Sequence, residues 1–207
     1  VSKNSAGYAL WNVLHEETVD LTQLFVGSQG TLGIITEITF RLVSKVKERK
    51  LLIIFLPSLD PLSEISKALL VFKPESLELY DDQTLKMAVK FFPDFLKVLK
   101  WNIATLLFQF LPEFFMVLRG VSPKLIVLAE FTGDTKNEVE VLVQKAKDAV
   151  LPFGVSAKIT HSEQEANKYF AIRRESFNLL RKHVQGMRTA NFIEDVIVPP
   201  GRLEEFL

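Results

Sequence analysis

No cysteine occurs anywhere in the 207 residues. That absence excludes a disulfide framework, a thiolate metal site and a cysteine nucleophile, and it fits a reducing compartment, so a cytoplasmic protein is expected. Charge of one sign is also missing. Twenty-five basic and twenty-five acidic side chains cancel, which leaves no electrostatic footprint for nucleic acid. Histidine is scarce, and His15, His161 and His183 are scattered without a second ligand at metal-binding spacing, so no metal site is expected. Long apolar runs are absent too: in the phenylalanine-rich stretch from Phe91 to Arg119, the longest uncharged run, Trp101 to Pro112, is too short to span a bilayer. The first residues lack the basic start and apolar core of a signal peptide. With 48% apolar residues the chain is nevertheless able to bury a real core.

Three glycines, Gly27, Gly30 and Gly33, fall three apart and lead into an alternating run. Ile34, Thr36, Ile38, Phe40 and Leu42 fall on one side of it, and Glu37, Thr39 and Arg41 on the other. A period of two predicts a half-buried strand. The order is a glycine loop followed by a strand. Dinucleotide folds and P-loops have the reverse order, with glycines opening a helix that holds phosphate. Glycines in such a loop admit a positive φ and a close ligand, or simply make a tight turn before an edge strand. Spacing alone leaves both readings open.

Further along, the pattern becomes strand, helix, strand, twice. Ser44 to Lys50 is a charged, solvated bridge and the best candidate domain boundary. Leu51–Leu56 predicts a strand; Asp60-Pro61 predicts an N-cap with proline at the first helical position; Leu62, Ile65, Leu69 and Phe72 make one helical face; and Ser76–Asp81 predicts the next strand. The plan repeats with a strand at Leu125–Phe131, a capping box at Thr135–Glu138, and a helix burying Val139, Leu142, Ala146 and Ala149. A strand with Val155, Ala157 and Ile159 on one side follows. Ser162–Glu165 is a second capping box, opening a helix to about His183, and Asn191–Val198 predicts a last strand. Two β-α-β units predict an α+β fold, a ferredoxin-like antiparallel sheet with helices on one face. Between them lies an apolar insertion, 88–120, with seven phenylalanines from Phe91 to Phe115. The favoured reading is a helix pair packed over the sheet or the substrate mouth. The other is peripheral contact of 91–119 with the inner face of the cell membrane.

Arg173 carries the strongest independent argument for a site. On a helical wheel it is central to the stripe of Ala166, Phe170, Phe177 and Leu180. A buried guanidinium must find an anion, and its fork matches a carboxylate. That anion is either a substrate carboxylate or an internal partner among Glu78, Asp81, Glu194 and Asp195.

Leu24 to Glu37 resembles the end of the flavin-binding domain in FAD-linked oxidases of the vanillyl-alcohol oxidase type, the group that includes D-lactate dehydrogenase and glycolate oxidase. Lys3 to Tyr8 is similar to an upstream segment of that family, and Gln29 departs from its usual glutamate. Tyr169 to Ser176 and Phe192 to Pro199 resemble the family's substrate-facing arginine helix and the strand after it. The resemblance implies the end of an FAD-binding domain at 1–46 and a substrate, or cap, domain at 47–207. It implies FAD along Gln29, Gly30, Thr31, Leu32, Gly33, Ile34 and Ile35, held through backbone groups, with Arg173 gripping the substrate carboxylate. The implied reaction oxidises a 2-hydroxy acid to the 2-keto acid with hydride transfer to flavin, and the implied electron acceptor is a quinone or a redox protein. Relatives handling dicarboxylic acids carry a threonine and a lysine where this chain has Phe177 and Ile193. A monocarboxylate such as lactate or glycolate is therefore expected. In this family the pyrophosphate-binding loop lies before Val1 and the catalytic base lies beyond Leu207. The chain is thus expected to be an internal piece of a longer protein, unable alone to hold FAD tightly or turn over substrate. A non-redox ether-lipid synthase and a non-catalytic binding module are the alternatives.

Overall fold

The computed structural model describes residues 7–91, 123–183, 198–199 and 202–206. The chain divides into two compact units, Val1–Ser44 and Lys45–Leu207. Predicted features at 1–6, most of the insertion, and the strand at 191–198 up to Ile197 lie outside the described residues.

In the first unit, β1 (Leu14–His15) and β2 (Thr18–Val19) pair antiparallel. Helix α1 (Leu21–Phe25) follows. Asp20 caps it by accepting the Thr22 N–H at 2.9 Å, and the hydrogen bonds from Thr22 hold the Asp20 carboxyl below its usual range. The predicted strand at 34–42 is not formed: no residue from Gly33 to Ser44 belongs to a strand. Ile34 is 94% and Leu42 89% exposed, although both sit at predicted inward positions. Alternation becomes a strand only where a neighbour supplies ladder hydrogen bonds. Among the described residues, the backbone from Leu32 to Ser44 makes none.

The second unit is built on four antiparallel strands: β3 (Glu48–Leu56), β4 (Ser76–Asp81), β5 (Leu125–Gly133) and β6 (Ser156–Ile159). Their order is β4-β5-β3-β6, the ferredoxin-like arrangement of two β-α-β units. The two central strands read as continuous apolar runs because both of their faces are covered. Leu52, Ile54, Val127, Ala129 and Phe131 pack under α2 (Leu62–Leu70) and α4 (Lys136–Val150). That pair matches the expectation of helices on one face. The opposite face is covered as well, with Leu51, Ile53, Ile126 and Leu128 packing against α3 (Asp82–Lys90) and α5 (Glu163–His183). Each of these fully buried aliphatic side chains contributes roughly 1.5–3 kcal/mol. A last short helix, α6, spans Leu203–Phe206.

Local signals place most helix starts. Thr135 Oγ1 accepts the Glu138 N–H at 3.3 Å and Ser162 Oγ accepts that of Glu165 at 3.1 Å. The returning carboxylates reach one residue further back than a capping box requires, to the N–H groups of Asp134 and His161. Helix α2 starts one residue late: Pro61 is its cap, and Asp60 instead accepts the Ser58 hydroxyl at 2.8 Å. In α4 the buried positions are Val139, Val143, Ala146 and Val150, with Leu142 partly buried. The bridge 44–50 is not solvated throughout. Glu48, Arg49 and Lys50 already belong to β3, and Arg49 and Lys50 are ion-paired.

Candidate functional site

Two groups of sequence-predicted residues can be placed, one in each unit. The first is the glycine loop. Ser28 is buried, and its carbonyl accepts the Thr31 N–H at 3.0 Å and the Thr31 hydroxyl at 2.6 Å. The two central residues are both left-handed, with φ of 52° at Gln29 and 79° at Gly30. This is a type I′ turn, for which glycine at the second position is favoured and a non-glycine at the first is strained. The Tyr8 hydroxyl lies 2.8 Å from Thr31 Oγ1 and ties the turn to the start of the unit. A Cβ on Gly33 would meet the Phe25 ring at 3.4 Å, whereas nothing lies within 4 Å of one on Gly30. The space beside the turn is open. The N–H groups of Leu32, Gly33, Ile34 and Ile35 have no partner among the described residues. Open space and unpaired backbone donors fit a flavin held through main-chain contacts.

The second group surrounds Arg173 on α5. The helix buries an arc through Tyr169, Ile172 and Ser176, with Ala166 at its edge. That arc is centred about 70° from Arg173, because Tyr169 and Ile172 pack with the sheet and with Leu85 and Ala88 of α3. Arg173 is therefore on the flank, 47% exposed, and not central as the wheel predicts. Its Nε donates to Glu78 Oε2 at 3.0 Å, one of the internal partners anticipated for it. Among the described residues no other ion partner of Arg173 is found. Side chains of Phe177 and Leu180, together with Ile193, Glu194 and Asp195, lie outside them.

Sequence reasoning missed the companions of this pair. Glu130 on β5 lies on the same sheet face as Glu78, and its side chain is 16% exposed. Burial pushes the Glu130 carboxyl up, Arg49 at 3.8 Å pulls it down, and Glu75 and Glu78 push it up again; the result is a raised value. The signal was available: Glu130 is the lone charge in an otherwise apolar strand, Leu125 to Phe131. Next to it, the Thr132 hydroxyl donates to Glu75 at 3.4 Å, and Arg49 also reaches Glu163 at 3.6 Å. Further along α5, the Lys168 ammonium stacks over the Tyr169 ring at 4.5 Å. Glu175 is held below the usual range, chiefly by the Asn178 amide and then by Arg174, against the effect of burial. Among the described residues no three His, Asp or Glu side chains gather to hold a metal, and no helix is long and apolar enough to cross a membrane.

Comparison with known proteins agrees with the fold. Over 207 residues the chain is 29% identical to glycolate oxidase subunit GlcD of Bacillus subtilis, covering 98% of this chain and 36% of that protein. It is 26% identical over 210 residues to a D-lactate dehydrogenase of Anaerostipes hadrus, covering all of this chain and 38% of the relative. It is 26% identical over 207 residues to a D-2-hydroxyglutarate dehydrogenase of Pseudomonas putida, covering 97% and 19%. The chain thus spans little more than a third of the relatives it matches, or less. Among solved structures, alkyldihydroxyacetonephosphate synthase shares the fold, with a TM-score of 0.52 at 16% identity over 82% of this chain and 30% of the other. Residues 45–207 match the family described as FAD linked oxidases, C-terminal domain. FAD is the cofactor this assignment implies, and the chain belongs to the FAD-linked oxidases.

Proposed function

We propose that this chain is part of an FAD-dependent dehydrogenase that oxidises a small 2-hydroxy acid, of the D-lactate or glycolate kind, to the 2-keto acid. The observation that carries the reading is the state of Arg173. Glu78 meets the guanidinium at Nε, the arginine side chain is half-exposed, and among the described residues no other ion partner of it is found. A guanidinium carries five N–H groups, so it can hold Glu78 and still present two parallel N–H groups to a substrate carboxylate. Relatives named for glycolate, D-lactate and D-2-hydroxyglutarate support a 2-hydroxy acid as the class.

FAD, when bound, supplies the two-electron acceptor. The residues of this chain bind and orient. Backbone donors from Leu32 to Ile35 would hold the cofactor, with the Ser28–Thr31 turn, closed by the Thr31 N–H to Ser28 carbonyl bond, fixing their register. Arg173 fixes the substrate carboxylate, which limits the rotation of the adjacent carbon and lowers the entropic cost of reaching the reactive geometry. Glu78 holds the guanidinium plane while that happens.

The test is an absorbance spectrum of the full-length protein before and after anaerobic addition of D-lactate, glycolate and longer 2-hydroxy acids. Bleaching of a flavin band by one of them is the expected result. A flavin that none of them reduces would overturn the reading.

A further inference from the structure

The carboxylates around Arg173 bear on which 2-hydroxy acids the site accepts. Glu78 lies on β4 and Glu130 on the adjacent strand β5; Ser76 pairs with Glu130 and Glu78 with Leu128, so the two are diagonal neighbours on one sheet face. Glu75 precedes β4, and its N–H donates to the Glu130 carbonyl at 2.8 Å. Three carboxylates thus gather at this rim. The cations that answer them are Arg173, on Glu78 at 3.0 Å, and Arg49, on Glu130 at 3.8 Å. Arg49 is shared with a further carboxylate, Glu163, at 3.6 Å. Among the described residues Glu75 has the Thr132 hydroxyl alone as side-chain partner. Among the described residues the rim is therefore short of positive charge before any substrate arrives, and the first substrate carboxylate takes up the remaining N–H groups of Arg173.

From this geometry we infer that Glu78, backed by Glu130 and Glu75, is a specificity determinant that rejects 2-hydroxy acids bearing a second carboxylate. The inference rests on Arg173 as the carboxylate grip and deepens that reading by naming what excludes the competitor. A substrate tail that is a hydrogen, methyl or other alkyl group meets no penalty. A distal carboxylate beside Arg173 enters the field of Glu78 and Glu130, where among the described residues no further cation answers it. Repulsion at short range discriminates more strongly than the mere lack of a second grip. The raised Glu130 carboxyl reports the same field, since Glu75 and Glu78 both contribute to it.

The experiment uses the full-length flavoprotein and two readouts. Steady-state kcat/KM is measured for D-lactate and D-2-hydroxyglutarate. Calorimetric Kd values are measured for pyruvate and 2-oxoglutarate, which bind without turnover. Glu78→Gln, which keeps shape and removes charge, should shift both ratios toward the dicarboxylate by roughly tenfold. Glu130→Gln should shift them in the same direction by less, and Glu78→Asp should restore the wild-type preference. Ratios unmoved in both Gln variants, with Arg173→Lys weakening every acid, would overturn the inference and leave the carboxylate grip standing. Loss of no acid in Arg173→Lys would instead remove the grip, and the selectivity argument with it.

Discussion

Arg49, near the start of β3, reaches diagonally across the ladder to Glu130 of β5, Nη1 to Oε1 at 3.8 Å. The pairing does not fully offset the cost of placing Glu130 in the sheet, because burial, Glu75 and Glu78 together leave its carboxyl above the ordinary range. A carboxyl whose folded value exceeds its unfolded one holds its proton more tightly when folded. Its contribution to stability is therefore greatest below the unfolded value and falls as pH rises through the raised one. Asp82, Glu165 and Glu175 are lowered and act with the opposite sign, losing their contribution as pH falls. Glu130→Gln should thus gain stability relative to wild type on going from about pH 4 to about pH 7. Urea midpoints at the two ends of that range check it. A constant difference between variant and wild type would show that Glu130 does not titrate abnormally.

Removing Arg173 should separate stability from activity. Its pair with Glu78 is half-exposed on the arginine side, and such pairs contribute about 0–1 kcal/mol. Arg173→Ala should lower unfolding free energy by no more than about that amount, while kcat/KM for the hydroxy acid in the full-length protein falls by roughly a hundredfold or more. A large stability loss would mark the pair as structural, and the substrate-binding role would lose its support.

How much of this was legible in the sequence follows from what each signal depends on. Caps and turns are local, so Thr135, Ser162 and the Ser28–Thr31 turn fall where the residue types place them. Strands β3 and β5 are legible from apolar runs, β6 from alternation, and the two helices of the β-α-β units from their periodicity. The rotation of α5 was not legible. The wheel weighs Phe170 and Arg173 by hydrophobic company, whereas packing selects Tyr169 and Ile172 by the shape of the gap beside α3. Nor could the strand at 34–42 be settled locally, since its alternation is a necessary condition and a ladder partner is the other. The acidic rim was hidden because Glu75, Glu78 and Glu130 are brought together by β4–β5 register, which no short window contains.

The turn beside the proposed flavin site gives a prediction about strain. Gln29 has φ of 52° and Gly30 of 79°, with nothing within 4 Å of a Cβ on Gly30. Any cost of substitution at Gly30 is therefore backbone strain, not collision. Gly30→Val should destabilise the turn by about 1–2 kcal/mol and lower the flavin content of the full-length protein. Gln29→Gly should stabilise by about 0.4–1 kcal/mol or be neutral. Gln29→Glu should leave flavin content unchanged, because the turn offers the cofactor main-chain groups. Flavin released on denaturation, measured per mole of protein, checks all three. Loss of flavin in the glutamate variant would mean that the side chain is a ligand.

Coverage of both sheet faces can be tested from within one strand. Ile53 and Ile54 are adjacent on β3, both fully buried, and point to opposite faces. Ile54 packs with α2 and α4, the helices of the two β-α-β units, while Ile53 packs with α3 and α5. If one face were open to solvent, truncating the residue on it would remove few contacts and cost little. With both faces packed, Ile53→Ala and Ile54→Ala should each cost about 2–5 kcal/mol, measured by denaturant unfolding. The two losses should be comparable, since each deletes the same atoms from a closed environment. A small loss at Ile53 alone would mean that α3 and α5 rest on the sheet without packing into it. Arg173 would then have no rigid support on its side of the molecule, because the helix that carries it is held by the same contacts that Ile53 makes.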